Sequence, residues 1–300
     1  SEMMRAQNYW MPHFPSYGHH NGQVDLYWQQ IKASGVKYMR IGGKSYDQGN
    51  MFSEADLKVI IDRMRSHGVE PIVQVPIDPG LTIAQNATKA GTLVAAVNTG
   101  TLLAYPVQNW IIGNEPNGSY AGTYSTVATI AAYTRSCSIA MRAEMPSITI
   151  IGPSLTNYIS SYYTDFLSAS TNSNSIMGSG PDGPYINAIS VNCYPISLSK
   201  MQATTTARQE IIENLRDANN FADILNSLKT KAVASGRSDL KIMITEANMS
   251  TVQDINHKCA DKFGPGSFVG GQFWAEMLAI GMEKGCSSFG LRSRKRSPDP

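Results

Sequence analysis

Short apolar segments alternate with amphipathic stretches along the whole chain. Eight apolar segments rich in Ile, Val, Met and Tyr predict strands at Arg5–Trp10, Lys37–Gly42, Pro71–Pro76, Gln108–Gly113, Ser147–Gly152, Ala188–Tyr194, Lys241–Glu246 and Ser287–Leu291. The first segment has a lower apolar content than the others. Because helical patterns separate the strands, the sequence predicts a parallel sheet.

Apolar residues at helical spacing predict the intervening helices. Ser53, with Asp56 three residues later, predicts the start of a capped helix that ends at Gly68. Further helical patterns lie at Thr123–Ala143, Thr205–Ser235 and Gly266–Lys284, and weaker ones precede Thr101 and span Tyr158–Ser168. Glycine follows several of these helices, as expected where a helix ends in the left-handed conformation.

The number of strand–helix units decides between two α/β architectures. Eight units favour a closed (β/α)8 barrel, the TIM barrel. An open doubly wound sheet would need a glycine-rich phosphate-binding turn after its first strand, and Tyr9–His13 contains no glycine. We therefore predict one barrel domain spanning residues 1–300.

The end of the chain departs from the barrel pattern. Nine residues follow the last predicted strand, and they contain two prolines and no apolar residue. We therefore expect a barrel that lacks or truncates its last helix, and a chain that is a fragment of a longer protein.

Charge and composition limit the kinds of partner and cofactor that we expect the protein to bind. The net charge is +2, but the last nine residues hold four bases and one acid, which leaves −1 for the rest. We expect a solvated basic tail, no nucleic-acid partner, and, because no apolar run reaches 18 residues, no membrane span. The cysteines lack zinc spacing, and His19 and His20 lack ligand-spaced acidic or cysteine partners, so no metal or cofactor is predicted. Both a Cys259–Cys286 disulfide and buried free thiols remain open.

Two glutamates end predicted strands, where barrels carry their catalytic groups. Two-residue alternation places Glu115 on the face of Ile111. It places Glu246 on the face of Ile242 and Ile244. A rim salt bridge or a helix cap would explain either carboxylate alone. The pair, at the inward end of two apolar stripes, favours a functional site because an unpaired buried carboxylate is costly.

The segments around these glutamates resemble clan A of the glycoside hydrolases, the retaining (β/α)8 enzymes. The family motif Asn-Glu-Pro at the end of strand four matches Asn114, Glu115 and Pro116, and a second glutamate at the end of strand seven matches Glu246. The resemblance runs from the first predicted strand to the eighth. It implies an enzyme that cleaves β-glycosidic bonds of a polysaccharide or oligosaccharide by double displacement.

The resemblance also implies catalytic roles. Glu115 would be the general acid/base and Glu246 the nucleophile, because glycoside cleavage needs one protonated and one ionised carboxyl group. Asn114 would hydrogen-bond the 2-hydroxyl group of the sugar.

Further substrate-binding candidates lie at other strand ends. Arg40 ends strand two, where clan A enzymes often carry an arginine that holds the nucleophile ionised. A peripheral salt bridge is the alternative for this arginine. Tyr194 ends strand six, where a tyrosine often bonds to the nucleophile. Asn192 stands where the family often has histidine, which puts the histidine role in doubt here.

Aromatic residues cluster in the loop after strand one. Trp10 and His13 are the members that we predict to stack on sugar, together with Tyr9, Phe14, Tyr17, His19 and His20. The apolar face of a pyranose packs well on aromatic rings. Packing within the loop explains the same residues equally well.

Two other functions compete with the glycosidase. A catalytically weak carbohydrate-binding barrel is the alternative, because Phe289–Arg292 lacks the tryptophan that clan A enzymes often place there. A barrel lyase or aldolase would need a lysine at a strand end, and Lys44 and Lys241 are poorly placed for it. For the glycosidase we expect a monomer that is secreted, periplasmic or bound at the cell surface.

Overall fold

The computed structural model describes residues 4–9, 28–49, 51–98, 103, 105–118, 124–196, 209, 221–249 and 268–291. Its barrel strands are β1 Met4–Tyr9, β2 Tyr38–Ile41, β3 Glu70–Val75, β4 Asn109–Ile112, β5 Thr149–Leu155, β6 Ala188–Cys193, β7 Lys241–Ala247 and β8 Ser288–Leu291. Each strand runs parallel to its neighbours, and β8 pairs with β1 to close the barrel. The predicted (β/α)8 fold is confirmed.

Helices connect most of these strands. They are α1 Trp28–Ala33, α2 Lys44–Asp47, α3 Glu54–Ser66, α4 Ile83–Asn98, α5 Val127–Glu144, α6 Ser160–Phe166, α7 Phe221–Ala234 and α8 Phe268–Glu283. A two-residue ribbon pairs Ser179–Gly180 with Gly183–Pro184 before β6. The Ser53 hydroxyl accepts the Asp56 N–H and caps α3, as predicted. Within the described ranges, no helix combines the length and apolar character that crossing a bilayer requires.

Some predictions concern residues outside the described ranges. Apart from Gln209, the first half of the predicted helix Thr205–Ser235 lies there, and so do the residues after Leu291 in which we expected the truncated last helix. Cys259 lies there too. Cys137, Cys193 and Cys286 are buried free thiols.

The core has two layers separated by the sheet. The larger layer fills the space between strands and helices and includes Trp110 and Ile112. A smaller apolar layer lies inside the barrel and is formed by Ile72, Ile111, Ile151, Ala188 and Met243, with Tyr38 packed against it. Two residues further along their strands, the inward positions become polar and remain buried: Arg40, Gln74, Ser190 and Thr245. The barrel interior is therefore apolar in one layer and polar in the next.

Strand β7 corrects one detail of the alternation argument. Ile242 and Ile244 belong to the outer layer, so the prediction that they share the inward face with Glu246 is wrong. The pairing between β6 and β7 shifts by one residue, because Val191 lies opposite Ile244 while Asn192 lies opposite Glu246. The extra residue is a β-bulge, which redirects the side chains that follow it. Alternation counted from the inward residue Met243 would turn Glu246 outward, and the bulge returns it to the inner side.

Candidate active site

Arg40 lies at the centre of a buried polar cluster at the C-terminal ends of the strands. Its Nη1 donates to Glu246 Oε1 at 2.5 Å, and its Nη2 donates to Asn114 Oδ1 at 2.7 Å. The same Nη2 also donates to Gln74 Oε1 at 3.0 Å. One guanidinium group thus connects β2, β3, β7 and the loop after β4. Its planar, forked donors suit this multiple contact better than a lysine ammonium would.

Glu246 is held through both of its carboxylate oxygens. While Oε1 accepts from Arg40, Oε2 accepts the Tyr194 hydroxyl at 2.7 Å. Glu246 is only 7% exposed, so its charge is largely removed from water. A buried carboxylate is tolerated when it is paired and hydrogen-bonded. The two donors therefore fix the orientation of Glu246 and stabilise its negative charge.

Glu115 follows β4 in a strained backbone conformation. Its φ of +46° lies in the left-handed region, which costs a residue other than glycine about 1–2 kcal/mol. The conformation is held because the Glu115 N–H donates to Ser154 O at 2.8 Å, while the Glu115 carbonyl accepts from Gly118 N at 2.7 Å. Strain of this kind concentrates at functional sites. Glu115 is partly exposed between the buried residues Asn114 and Pro116.

Asn192 connects Glu115 to the interior of the barrel. Its Nδ2 donates to Glu115 Oε1 at 2.9 Å. Its Oδ1 lies 3.0 Å from Ser154 Oγ and 2.9 Å from Thr245 Oγ1, and those two hydroxyl oxygens are 2.7 Å apart. Hydroxyl donors facing Oδ1 select the orientation in which the amide N–H groups point towards Glu115. The structure thus places Asn192 beside Glu115, to which it presents a neutral amide.

Two polar residues that the sequence analysis did not single out complete the cluster. Gln74 and Asp47 are buried and hydrogen-bonded to each other at 2.9 Å. Burial raises the pKa of the Asp47 carboxyl group to about 7. The N–H donors of Ile77 and Asn114, the charge of Arg40 and the amide of Gln74 lower the pKa but only partly offset the effect of burial. A glutamine within the apolar strand Pro71–Pro76 was a usable signal for Gln74. Asp47 carried none, because it follows a strand by several residues.

The structure brings together six of the eight predicted site residues: Glu115, Glu246, Asn114, Arg40, Asn192 and Tyr194. Trp10 and His13 lie outside the described residues, as does most of their loop. Within the described part of the chain, no group of three or more His, Cys, Asp or Glu side chains is arranged to hold a metal ion.

The arrangement provides two carboxyl groups in different settings. Glu246 is buried and faces a cation and a phenol, whereas Glu115 is more exposed and faces a neutral amide. Two carboxyl groups in such different surroundings can take different roles in one reaction.

No protein-family model matches the sequence, and no curated protein matches it. Solved structures share its fold. A glucosidase from Croceicoccus marinus matches with a TM-score of 0.60 and 12% identity over 89% of this chain and 55% of that one. The bacterial orthologue of human α-L-iduronidase matches with a TM-score of 0.65 and 16% identity over 97% of this chain and 48% of that one. AbfB, a family 51 α-L-arabinofuranosidase from Bifidobacterium longum, matches with a TM-score of 0.65 and 11% identity over 97% of this chain and 66% of that one.

These similarities establish the fold. The barrel is one that glycoside hydrolases share, which confirms the predicted resemblance at the level of architecture. The chain spans about half the length of the first two of these structures, 55% and 48%.

Proposed function

We propose that the protein is a retaining glycoside hydrolase that cleaves β-glycosidic bonds in a polysaccharide or oligosaccharide. The observation that carries the proposal is the clamped carboxylate of Glu246, held by Arg40 and Tyr194, near the amide-bound carboxyl group of Glu115. Fold similarity to solved glycosidases supports it. With a polymeric glycan as substrate, the protein would act as a monomer outside the cytoplasm, secreted, periplasmic or at the cell surface.

Two displacements make up the proposed reaction. In the first, a Glu246 oxygen attacks the anomeric carbon while Glu115 gives its proton to the departing glycosidic oxygen. This forms a glycosyl ester on Glu246 and releases the first product. In the second, Glu115 takes a proton from water, whose oxygen attacks the same carbon and releases the Glu246 carboxylate. Both carboxyl groups return to their starting states.

The neighbouring residues suit these roles. Arg40 stabilises the carboxylate form of Glu246 and, through Nη2, binds the Asn114 side chain. Tyr194 holds the second Glu246 oxygen and so fixes the plane of the attacking carboxylate. Asn192 holds Glu115 whether or not Glu115 carries a proton, because an amide does not change charge between the two steps.

The test combines two alanine variants with an added nucleophile. The parent is first screened on aryl glycosides, and Glu115→Ala and Glu246→Ala are then assayed with azide on a substrate that the parent hydrolyses. Azide should attack the glycosyl-enzyme of Glu115→Ala and give a glycosyl azide of the same anomeric configuration as the substrate. In Glu246→Ala, azide should occupy the place of the missing carboxylate and give the opposite configuration.

The loss of activity provides a second readout. Without azide, Glu115→Ala should lose about 10²–10⁴-fold on substrates with poor leaving groups, the usual contribution of acid catalysis. Glu54→Ala, at an exposed position in the first turn of α3, is the matched control and should keep full activity. Undiminished hydrolysis by Glu246→Ala would refute the nucleophile assignment. If the parent bound sugar but hydrolysed none of the aryl glycosides on which it is screened, a carbohydrate-binding barrel would be favoured instead.

A further inference from the structure

A third carboxyl group lies next to the proposed catalytic pair. Asp47 is the last residue of α2 and is 7% exposed. Its Oδ1 accepts from Gln74 Nε2 at 2.9 Å and from Ile77 N at 2.8 Å, and its Oδ2 accepts from Asn114 N at 3.1 Å. Every one of these partners is an N–H donor. Both oxygens of Asp47 therefore act as hydrogen-bond acceptors in the site.

Gln74 passes this constraint on to Arg40. An amide side chain has a donor end and an acceptor end, so the contact made by one end decides where the other points. Because Asp47 accepts from Gln74 Nε2, Gln74 Oε1 points away from it and accepts from Arg40 Nη2 at 3.0 Å and Gly43 N at 2.6 Å. In the flipped orientation, the amide would set N–H donors against the N–H donors of Arg40 and Gly43.

The second oxygen of Asp47 acts on the other partner of Arg40. Asn114 receives a hydrogen bond from Arg40 on its side chain and donates its backbone N–H to Asp47. Asp47 therefore reaches Arg40 by two routes, through the Gln74 amide and through the backbone of the residue before Glu115. Both routes end on Nη2, while Nη1 of the same guanidinium contacts Glu246.

We propose that Asp47 is a positioning residue that holds Arg40 against Glu246 by orienting the Gln74 amide and anchoring the Asn114 backbone. This inference rests on the proposed function, in which Glu246 is the nucleophile. Asp47 does not touch the reacting atoms. It acts through two residues that contact the arginine.

The primary test replaces the acceptor by an isosteric amide. Asp47→Asn sets a donor against one of the N–H partners, so kcat should fall by about 10–100-fold, because a misplacement of about 1 Å by a mutation away from the reacting atoms can cost about 10²-fold, with a smaller change in KM. The assay uses a 4-nitrophenyl glycoside that the parent hydrolyses. Asp62→Asn, at an exposed position in α3, is the matched control and should retain the parent's kcat.

A double-mutant cycle separates positioning from a general loss of stability. In an Arg40→Lys background, adding Asp47→Asn should change kcat by less than about 2-fold, because the residue through which Asp47 acts has already been removed. Independent structural damage would instead multiply the two losses. Gln74→Met removes the relay while keeping Asp47, and it should reproduce the fall in kcat. This variant carries the test if Asp47→Asn does not fold.

A crystal structure of Asp47→Asn tests the positioning role without relying on enzymatic activity. Loss of the contacts from Arg40 to Glu246 and Asn114 would support the proposal, and their retention would overturn it. If the parent turns over no glycoside, the proposed function fails, and this structure alone decides the positioning role. If the parent is active and both Asp47→Asn and Gln74→Met keep its kcat, the positioning role is wrong although the glycosidase assignment stands.

Discussion

The titratable groups of the site are balanced by neutral donors as well as by charge. The guanidinium of Arg40 pairs with Glu246, while Asp47 accepts from N–H groups and Glu115 accepts from the Asn192 amide. Neutral donors offset desolvation less completely than a direct ion pair does. This difference explains why burial can raise the pKa of Asp47 to about 7 although three N–H groups donate to it.

We predict that Asp47 makes the protein less stable as the pH rises from acid to neutral. Its carboxyl pKa is about 7 in the folded protein and 3.8 without burial, so the folded state binds more protons than the unfolded state between these values. The free energy of unfolding should then fall with rising pH, by about 4 kcal/mol for a shift of this size. Among the described residues, the charged and titratable groups that interact with Asp47 are Arg40 from β2 and Tyr133 from α5, and burial holds the pKa of Tyr133 well above this interval.

Urea unfolding of the parent and of Asp47→Asn, at about pH 4 and about pH 7, measures this effect. The amide does not titrate, so the difference in stability between the two proteins isolates the contribution of residue 47. The parent should lose stability relative to the variant as the pH rises. If the free energies of unfolding of the parent and of Asp47→Asn changed in parallel with pH, Asp47 would titrate at the same pH in the folded and unfolded states, and the prediction would be wrong.

At the level of secondary-structure elements, the end of β2 must leave room for Gln74 of β3. Gly42 has a φ of +147°, and a Cβ atom built on it would lie 2.4 Å from Gln74 Oε1 and 2.5 Å from Gln74 Cβ. Gln74 Cβ cannot move away unless the backbone of β3 moves with it. Glycine at this position therefore allows β2 and β3 to place Arg40 and Gln74 in contact.

We predict that Gly42→Ala lowers both stability and activity. Gly68→Ala is the matched control, because Gly68 also has a positive φ, +74°, but nothing lies within 4 Å of an added Cβ atom. The control should lose about 1–2 kcal/mol of stability from backbone strain alone and keep its kcat. Gly42→Ala should lose more stability and also kcat, because Gln74 must leave its place beside Arg40. The steric argument would be contradicted if Gly42→Ala and Gly68→Ala changed the thermal unfolding temperature and the kcat for a glycoside by equal amounts.

The elements also explain how far the sequence could predict the site. Strands that bury a largely apolar segment, such as β3 and β4, and the residues at their ends follow directly from the sequence. The inward direction of Glu246 rests on a bulge between β6 and β7, and no residue pattern in Lys241–Glu246 announces it. Asp47 lies in a four-residue helix whose place is decided by tertiary hydrogen bonds. Local patterns therefore predict strand ends well and miss groups that reach the site from connecting segments.

At the scale of the whole molecule, the closed barrel assembles the site from distant parts of the chain. Arg40 and Glu246 are separated by 206 positions, yet they form an ion pair because parallel strands bring their C-terminal ends to one mouth. The contacts of Arg40 cross the lumen between β2 and β7, so they depend on the closure of the sheet. Opening of the barrel at any strand pair would disperse the site.

Buried thiols in three parts of the barrel report on this closure. Cys137 lies in α5, Cys193 lies in β6 and Cys286 lies two residues before β8, with exposures of 0%, 6% and 1%. Burial raises the thiol pKa values to about 12, 12 and 11, which leaves almost no thiolate for reaction at neutral pH. A thiol reagent should therefore label these cysteines only after the barrel opens.

We predict that all three thiols react at one common rate, because a closed sheet loses its cooperative core in a single opening event. The experiment uses Cys259→Ser, so that the labelled thiols are those whose burial is known, and follows each cysteine by peptide mass analysis in increasing urea. A common rate that rises with urea would show that the site is lost only with the whole barrel. Earlier labelling of Cys286 would instead locate a separate opening at β8, the strand that pairs with β1 and closes the sheet. Since β8 also pairs with β7, such an opening would remove one of the strands that flank Glu246 and would abolish activity before global unfolding.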